Sequence, residues 1–569
     1  MKSLPFLILF LFLNPLFGQL KKESDYGAPL KIPFSFSGGF GELRKNHFHT
    51  GLDFRTAGQT GIPVYAPKDG SVARVSVSPF GYGHALYLIH SDGRTTVFGH
   101  LSRFSPKIEE YVLEQQYRLR QFAVDLTLPP GMITFRKGEV VAWSGNTGSS
   151  GGPHLHFEIR DTQSEKPQNP LFYLSSIKDK SSPRITSLYI YPLNDESHVN
   201  KNRSKMRVET ISGGRNTKMK KQQQIEVFGD IGLGIQTDDD FDGLGIKCGI
   251  YSAELFVDQE NVFLFKMDQL AFDQGRYVNS HIDYEELMKN KRWIHRLYLQ
   301  PGNKMEIYKT NSGGGVLKLT DGKVHTIKII VADAFQNTNE FTFRLLSKKC
   351  QLPIIKTDYT KHFMHDESNT FETDEVKILI PKGALYDDLN FVYHLAGKGN
   401  SAYSAVHQIH NQYVPIHVPY SVSIKTTKIP QKYQAKALIA GVDATGRLSA
   451  IGSEFKDGWI IAHPRSFGDF KVVLDTVPPT IRPINSKNTK NKIIADKLEF
   501  KISDNLSGVE MYEGEIDGNW ALFEYDAKTE TLAYTIDKKR LTSGKTHTLH
   551  LKVGDERKNS SEYKSTFYY

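Results

Sequence analysis

The chain has 569 residues, enough for roughly three to five domains of ordinary size. Hydrophobic residues make up 39%, charged residues 24% and aromatic residues 11%, a balance that excludes a disordered, collagen-like or multi-span membrane protein. The net charge of +9 arises from 72 Lys and Arg against 63 Asp and Glu. The basic residues are scattered singly, so no nucleic-acid partner is indicated, and the excess suits weak attraction to anionic polymers or plain solubility.

Lys2 precedes an apolar run from Leu4 to Leu13 that continues as NPLFG to Gly18. The run is too short to span a membrane and has the shape of a secretory signal over residues 1–19. Leu16 occupies a position where cleavage prefers a small residue, so Gly18 alone fits, and the mature chain is expected to start near Gln19 or Leu20 with no membrane span. No Cys follows the signal, which argues against a lipoprotein anchor. Export to the periplasm, the cell envelope or the exterior permits a disulfide, and the two cysteines, Cys248 and Cys350, are candidates to pair.

Residues 20–176 are expected to form the first domain. From Gly39 to Leu171, short β-type runs such as ALYLIH, TTVFGHL and GEVVAW are broken by Gly, Asp and Asn turns, the pattern of a compact antiparallel β domain. One segment differs. Ser105 and Pro106 make a helix start, and the following KIEEYVLEQQYRLRQF places Ile108, Val112, Leu119 and Phe122 at apolar positions, so a helical insertion is predicted over about 105–122.

Beyond Pro183 the chain turns to longer alternating strands and contains a repeat. Gly322, Lys323, His325, Thr326, Val331, Asp333 and Asn337 in GKVHTIKIIVADAFQN recur as Gly544, Lys545, His547, Thr548, Val553, Asp555 and Asn559 in GKTHTLHLKVGDERKN. Upstream, GIYSAELFVD is echoed by GVEMYEGEID. Immunoglobulin-like β-sandwiches are therefore predicted at 177–350 and 477–569, the second entered through the stiff linker DTVPPT. A β module of unspecified type fills 351–476, with a partial echo in KALIAGVDATG. The fold class expected is mainly β: an antiparallel β-sheet domain followed by tandem β-sandwich modules. Asp238, Asp240, Asp242 and Gly243 are spaced as in a calcium loop, but Gly249 stands where an EF-hand needs its Glu. A solvated acidic loop and a looser calcium turn are the two alternatives. Trp520 is expected in a core rather than as a sugar platform.

With 20 histidines, roughly one His-x-His pair is expected by chance. The signal is the set: HTGLDFR with His49 and Asp53, FGHL with His100, and SGNTGSSGGPHLHFEIR with His154 and His156. Residues two apart on a strand share a face, so HLHFEI aims both imidazoles at one surface. A catalytic zinc takes three His or carboxylate ligands and leaves a fourth position open; this set supplies three with two histidines to spare. His47 in HFH is the rival to His49. His362, His365 and Asp366 also have ligand-like spacing but lack a following His-x-His, and they, with His407, His410 and His417, are expected to be surface or core residues.

These residues, with GIPVYAPKDGSV, FGYGHALYLIHSDG and KGEVVAWSGNTG, resemble the lysostaphin-type zinc metallopeptidases, which cut peptide cross-links of bacterial cell walls. The resemblance covers roughly 32–172. It implies zinc held by His49, Asp53 and His156, with His100 and His154 flanking the attacking water and the scissile carbonyl. Phe98 stands where the family commonly has Tyr, and the helical insertion, expected at the rim of the groove, separates His100 from His154. The function implied is a secreted zinc endopeptidase acting on peptidoglycan. The alternatives are a non-catalytic relative that binds wall or activates another hydrolase, and a scaffold in which the peptidase is accessory. The later modules are expected to position the enzyme, so their removal should spare hydrolysis of a small peptide.

Overall fold

The computed structural model describes residues 26–241, 247–353, 358–396, 403–426, 429–484 and 497–569; the expected signal segment 1–19 lies outside them, as do Asp242 and Gly243. Among the described residues no helix is long and apolar enough to cross a membrane.

The N-terminal domain is built on an antiparallel sheet ordered Phe36–Gly38, Leu52–Arg55, His154–Asp161, Arg94–Leu101, His84–Ile89, Gly70–Val77, Val124–Thr127. A smaller sheet of Pro63–Tyr65, Val140–Trp143 and Arg103–Phe104 lies beside it. The period of two along the strand His154–Asp161 decides what each face does. Leu155, Phe157 and Ile159 point into the hydrophobic core with Phe54 and Phe98, which leaves His156, Glu158 and Arg160 on the other face. Register then sets the neighbours: His156 stands opposite Asp53 on one side and opposite Gly99 on the other.

The helix forms over Pro106–Leu119, with Ser105 as its N-cap position, Pro106 in its first turn and Arg120 closing it in the left-handed region. Ile108 and Val112 are buried, as is Phe122 beyond it, whereas Leu119 is 42% exposed. Its outer side meets the last module. Tyr117 packs edge-on against Trp520 at 5.2 Å, and the Arg540 guanidinium sits 3.5 Å over the Tyr117 ring.

The second module is a mostly antiparallel strand network centred on the sixteen-residue strand Ile225–Asp240. Its strand Thr338–Ser347 also makes parallel pairings with Asn216–Met219 and Ile225–Asp240. The third module has two five-stranded sheets and the fourth two four-stranded sheets. The repeat seen in the sequence is a repeat of bonds. His325 Nδ1 lies 2.7 Å from Asp258 Oδ2, and His547 Nδ1 lies 2.6 Å from Asp517 Oδ2. In each case the same Asp accepts from the next backbone amide, that of Thr326 or Thr548.

Cys248 and Cys350 do not pair; both are free. Cys248 packs against Gly39 of the N-terminal domain, while Cys350 follows Thr338–Ser347 into the next linker. Burial raises the Cys248 thiol well above its usual range.

The boundary at 176/177 is a boundary in sequence and not in packing. The hairpin Leu43–Arg44/His47–Phe48 belongs to the N-terminal domain, yet Phe40, Leu43 and Phe48 pack in the hydrophobic core of the second module. Backbone bonds cross the same seam, Asn169 N to Asp268 O at 3.1 Å and Leu270 N to Pro167 O at 2.9 Å. Each apolar side chain buried there contributes about 1.5–3 kcal/mol. Phe48→Ala should cost about 3–5 kcal/mol and loosen the adjoining His49. Removal of residues 177–569 should disorder this hairpin and reduce metal uptake, in contrast to the independence expected from sequence. Melting curves with metal analysis check both; a truncated chain that takes up metal normally contradicts the coupling.

Candidate metal centre

Five of the predicted residues converge. His49 Nε2 lies 3.0 Å from Asp53 Oδ1 and 3.1 Å from His156 Nδ1, and His156 Nδ1 lies 2.9 Å from Asp53 Oδ1. One ligand atom from each of these three buried residues falls within 4.8 Å of the others. His154 Nε2 approaches Asp53 Oδ1 at 3.4 Å, and the His100 ring lies 4.7 Å from that of His154. His47 is exposed, with Nδ1 3.1 Å from Lys45 O, so of the HFH pair it is His49 that reaches the cluster. His362 and His365 instead meet Asn390 and Asp388 at the surface. His407 contacts Tyr393, and His417 stacks on Tyr277.

Local chain geometry places these groups. Gly51 lets the Asp53 strand lie close to its neighbour, since a Cβ there would sit 2.4 Å from Phe157 O and 3.0 Å from His156 Cε1. His100, at the end of Arg94–Leu101, has φ of 60°, a left-handed conformation that a non-glycine residue adopts at a cost. Its amide donates to Tyr82 O at 2.8 Å.

Each ring has one nitrogen committed to an oxygen of the fold. His49 Nδ1 donates to Gly39 O at 2.8 Å, His100 Nδ1 to Thr147 O at 2.9 Å and His154 Nδ1 to Gly152 O at 2.8 Å. His156 Nε2 donates to Glu158 Oε1 at 2.9 Å. A carbonyl or carboxylate accepts only from N–H, so each anchored nitrogen carries a proton and the opposite nitrogen of His49 and His156 is aimed at Asp53, where a metal would take the place of any proton held there. Two imidazole nitrogens and one carboxylate oxygen, buried on one side and open to a cleft on the other, fit a metal with a free coordination position.

Glu158 and Arg160 were not singled out from the sequence, although HLHFEIR contains them at the same spacing of two. Glu158 is fully buried and receives Arg160 Nε at 2.6 Å, Tyr82 Oη at 2.6 Å and Thr50 Oγ1 at 2.5 Å. Burial pushes the Glu158 carboxyl up, but Arg160 and His156 outweigh it and hold it well below the usual carboxylate range. Asp53 behaves alike, with His154, His156 and His49 overcoming burial. Burial and the neighbouring His156 and His154 lower His100 to about 3. Burial alone would lower His156 too, but bonds to Asp53 and Glu158 raise it to about 9.

The cluster lies in a cavity of about 560 Å³. One wall is the N-terminal domain; the other is Leu270, Ala271, Phe272, Gly275 and Met305 of the second module. Phe272 also lies 4.5 Å from the Arg160 guanidinium, so the second module touches the chain of groups behind His156. An adjoining cavity of about 410 Å³ shares Leu270, Ala271 and Met305 and extends the cleft along the seam. The helical insertion does not line the cleft, contrary to expectation, because its free side is occupied by the last module.

Residues 47–117 match Peptidase family M23, and residues 360–475, the module left untyped from sequence, match the Zu5-like domain. The chain is 36% identical over 145 residues to an uncharacterized metalloprotease of Haemophilus influenzae, covering 26% of this chain and 24% of that protein. It is 28% identical over 159 residues to lysostaphin of Staphylococcus simulans, covering 27% and 25%. It is 36% identical over 123 residues to the DD-carboxypeptidase/endopeptidase Mpg of Neisseria meningitidis, covering 22% of each. The match thus spans roughly a quarter of the length of these relatives. The N-terminal domain is a lysostaphin-type M23 metallopeptidase domain. The family match ends within the helix, so it includes His49, Asp53 and His100, while His154 and His156 lie beyond it.

Because His156 is raised to about 9, below that pH it keeps a proton that a metal must displace. Metal affinity should therefore rise with pH, by up to about tenfold per unit across pH 6 to 8. Competition titrations at several pH values check this; an affinity independent of pH contradicts the proton's placement on His156.

Proposed function

We propose that this protein is an exported, zinc-dependent endopeptidase that hydrolyses peptide cross-links of bacterial peptidoglycan. The observation that carries the proposal is the convergence of His49, Asp53, His156, His100 and His154 in one cleft, each imidazole with its tautomer set by a bond to the fold. His49 Nε2, Asp53 and His156 Nδ1 would hold the metal. When bound, zinc supplies Lewis acidity for the scissile carbonyl and the attacking water.

His100 and His154 do the proton work. Both donate from Nδ1 to backbone carbonyls and present Nε2 to the cleft. His100 is held neutral by burial and its neighbours, so it can take the water's proton only as negative charge developing in the cleft raises its proton affinity; an imidazole that has taken it can stabilise the oxyanion and return the proton to the leaving amine. No serine or cysteine nucleophile is needed. The two-walled cleft suits an extended peptide laid along the seam. Names of the relatives, lysostaphin and a DD-carboxypeptidase/endopeptidase, support a wall peptide as substrate. Completeness of the five positions speaks against a non-catalytic relative.

Digestion of purified peptidoglycan by the zinc-loaded chain, read by mass spectrometry, should release fragments cut within the cross-links; intact cross-links would overturn the proposal. Three variants separate the roles. His156→Ala should lose both zinc and activity. His154→Ala and His100→Ala should keep zinc while turnover falls by roughly 10² to 10⁴. Zinc loss in His154→Ala with retention in His156→Ala would reverse the assignment.

A further inference from the structure

The two modules that share the repeat each hold a second kind of cluster where the incoming linker meets the module. In the second module Asp179 comes from the linker, Asp239 from the end of Ile225–Asp240 and Asp333 from the turn after Val324–Ala332. One carboxylate oxygen of each lies within 4.8 Å of the others. In the fourth module Asp475 of the linker, Asp504 after Lys497–Ser503 and Asp555 at the end of Thr546–Asp555 meet the same limit.

The correspondence extends to the bonds. Asn337 Nδ2 donates to Asp333 Oδ2 at 2.7 Å and to Asp179 O at 3.2 Å; Asn559 Nδ2 donates to Asp555 Oδ2 at 2.7 Å and to Asp475 O at 3.1 Å. Asp179 Oδ1 and Asp475 Oδ1 each accept the amide two residues on, that of Ser181 or Val477. Asp179 and Asp475 both stand four residues before a proline, Pro183 and Pro479. The same constellation has been built twice.

All three carboxylates of the first triad are buried, as are Asp475 and Asp555 of the second, with Asp504 half-buried; carboxylates this close repel one another unless a cation or protons intervene. Asp239 is 3% exposed, and its Oδ1 has no hydrogen-bond partner among the described residues. Asp239 lines a cavity of about 20 Å³ together with Asp179 and Asp333, close to the room of one small sphere. Burial and the neighbouring carboxylates push Asp239 up to about 8, and burial with Asp179 contributing pushes Asp333 up to about 6. Cys248 also borders the first cavity, but no cysteine belongs to the second cluster, so the donors common to both are oxygens. All-oxygen sets suit hard cations, and loosely arranged carboxylates and carbonyls suit calcium in particular. In sequence, Asp238, Asp240 and Asp242 read as a solvated acidic loop or a looser calcium turn; Asp238 and Asp240 flank Asp239 on a strand and so face away from the cluster.

We propose that the two aspartate triads, Asp179/Asp239/Asp333 and Asp475/Asp504/Asp555, each bind one calcium ion and pin the linker to the module it enters. The full chain, stripped with EGTA, reloaded with one equivalent of zinc and titrated calorimetrically with calcium chloride, should show two sites. Asp239→Asn and Asp504→Asn should each remove one. Wild-type protein should melt several degrees higher with calcium. Asp239→Asn, which needs neither a buried charge nor a proton taken up on folding, should melt higher than wild type in EGTA yet gain less from calcium, a reversal that loss of folding cannot mimic. Absence of calcium binding and of a melting shift at millimolar calcium in the wild type would overturn the proposal. So would two sites persisting in Asp239→Asn, or a first cluster that takes zinc in preference to calcium.

Discussion

Every histidine of the cleft has one ring nitrogen tied to a fixed oxygen, and this constraint aims the other nitrogen where it can act. Gly39 O, Thr147 O, Gly152 O and the Glu158 carboxylate are the four anchors. Three are backbone carbonyls in loops; the fourth is a buried charge that Arg160 must neutralise. A catalytic imidazole on a free side chain would sample both tautomers and several rotamers. Here each ring's orientation is set by the fold before any ligand arrives, which is what preorganisation requires.

The same dependence carries outward to the second module. Arg160 holds Glu158, Glu158 holds His156, and Phe272 of the second module lies against Arg160. Phe48, next to His49, is buried in that module's core. The cleft is therefore a property of two sequence domains together. Contacts continue through the third module, where Tyr386 Oη donates to Arg276 O, and the fourth, where Arg557 donates to Ser453 O, and return to the first at Tyr117 and Trp520.

Strand periodicity made one strand of the centre legible from sequence, while the roles of His49, Asp53, His100, His154 and His156 were what the family resemblance implied. HLHFEIR alternates apolar and polar residues, so one phase of the strand names both the core and the site. Glu158 and Arg160 were equally available in that string, but a buried Glu–Arg pair has no signature distinct from a surface one. The helix was legible from Ser105, Pro106 and its apolar spacing; its partner, Trp520, was not, because two segments some four hundred positions apart meet only in the packed molecule. The hairpin at Leu43–Phe48 read as part of the first domain for the same reason. The acidic run read as a solvated loop or a looser calcium turn, and neither reading singled out Asp239, because on a strand a shift of one residue changes the face.

The account rests on the division of the five residues into three ligands and two proton carriers. A crystal structure of the zinc-loaded protein, with the metal located by its anomalous signal, tests it most directly. Zinc should lie about 2.0–2.2 Å from His49 Nε2, an Asp53 oxygen and His156 Nδ1, with His100 and His154 beyond bonding distance. Zinc bonded to His154 or His47, with His49 or His156 released, would contradict it.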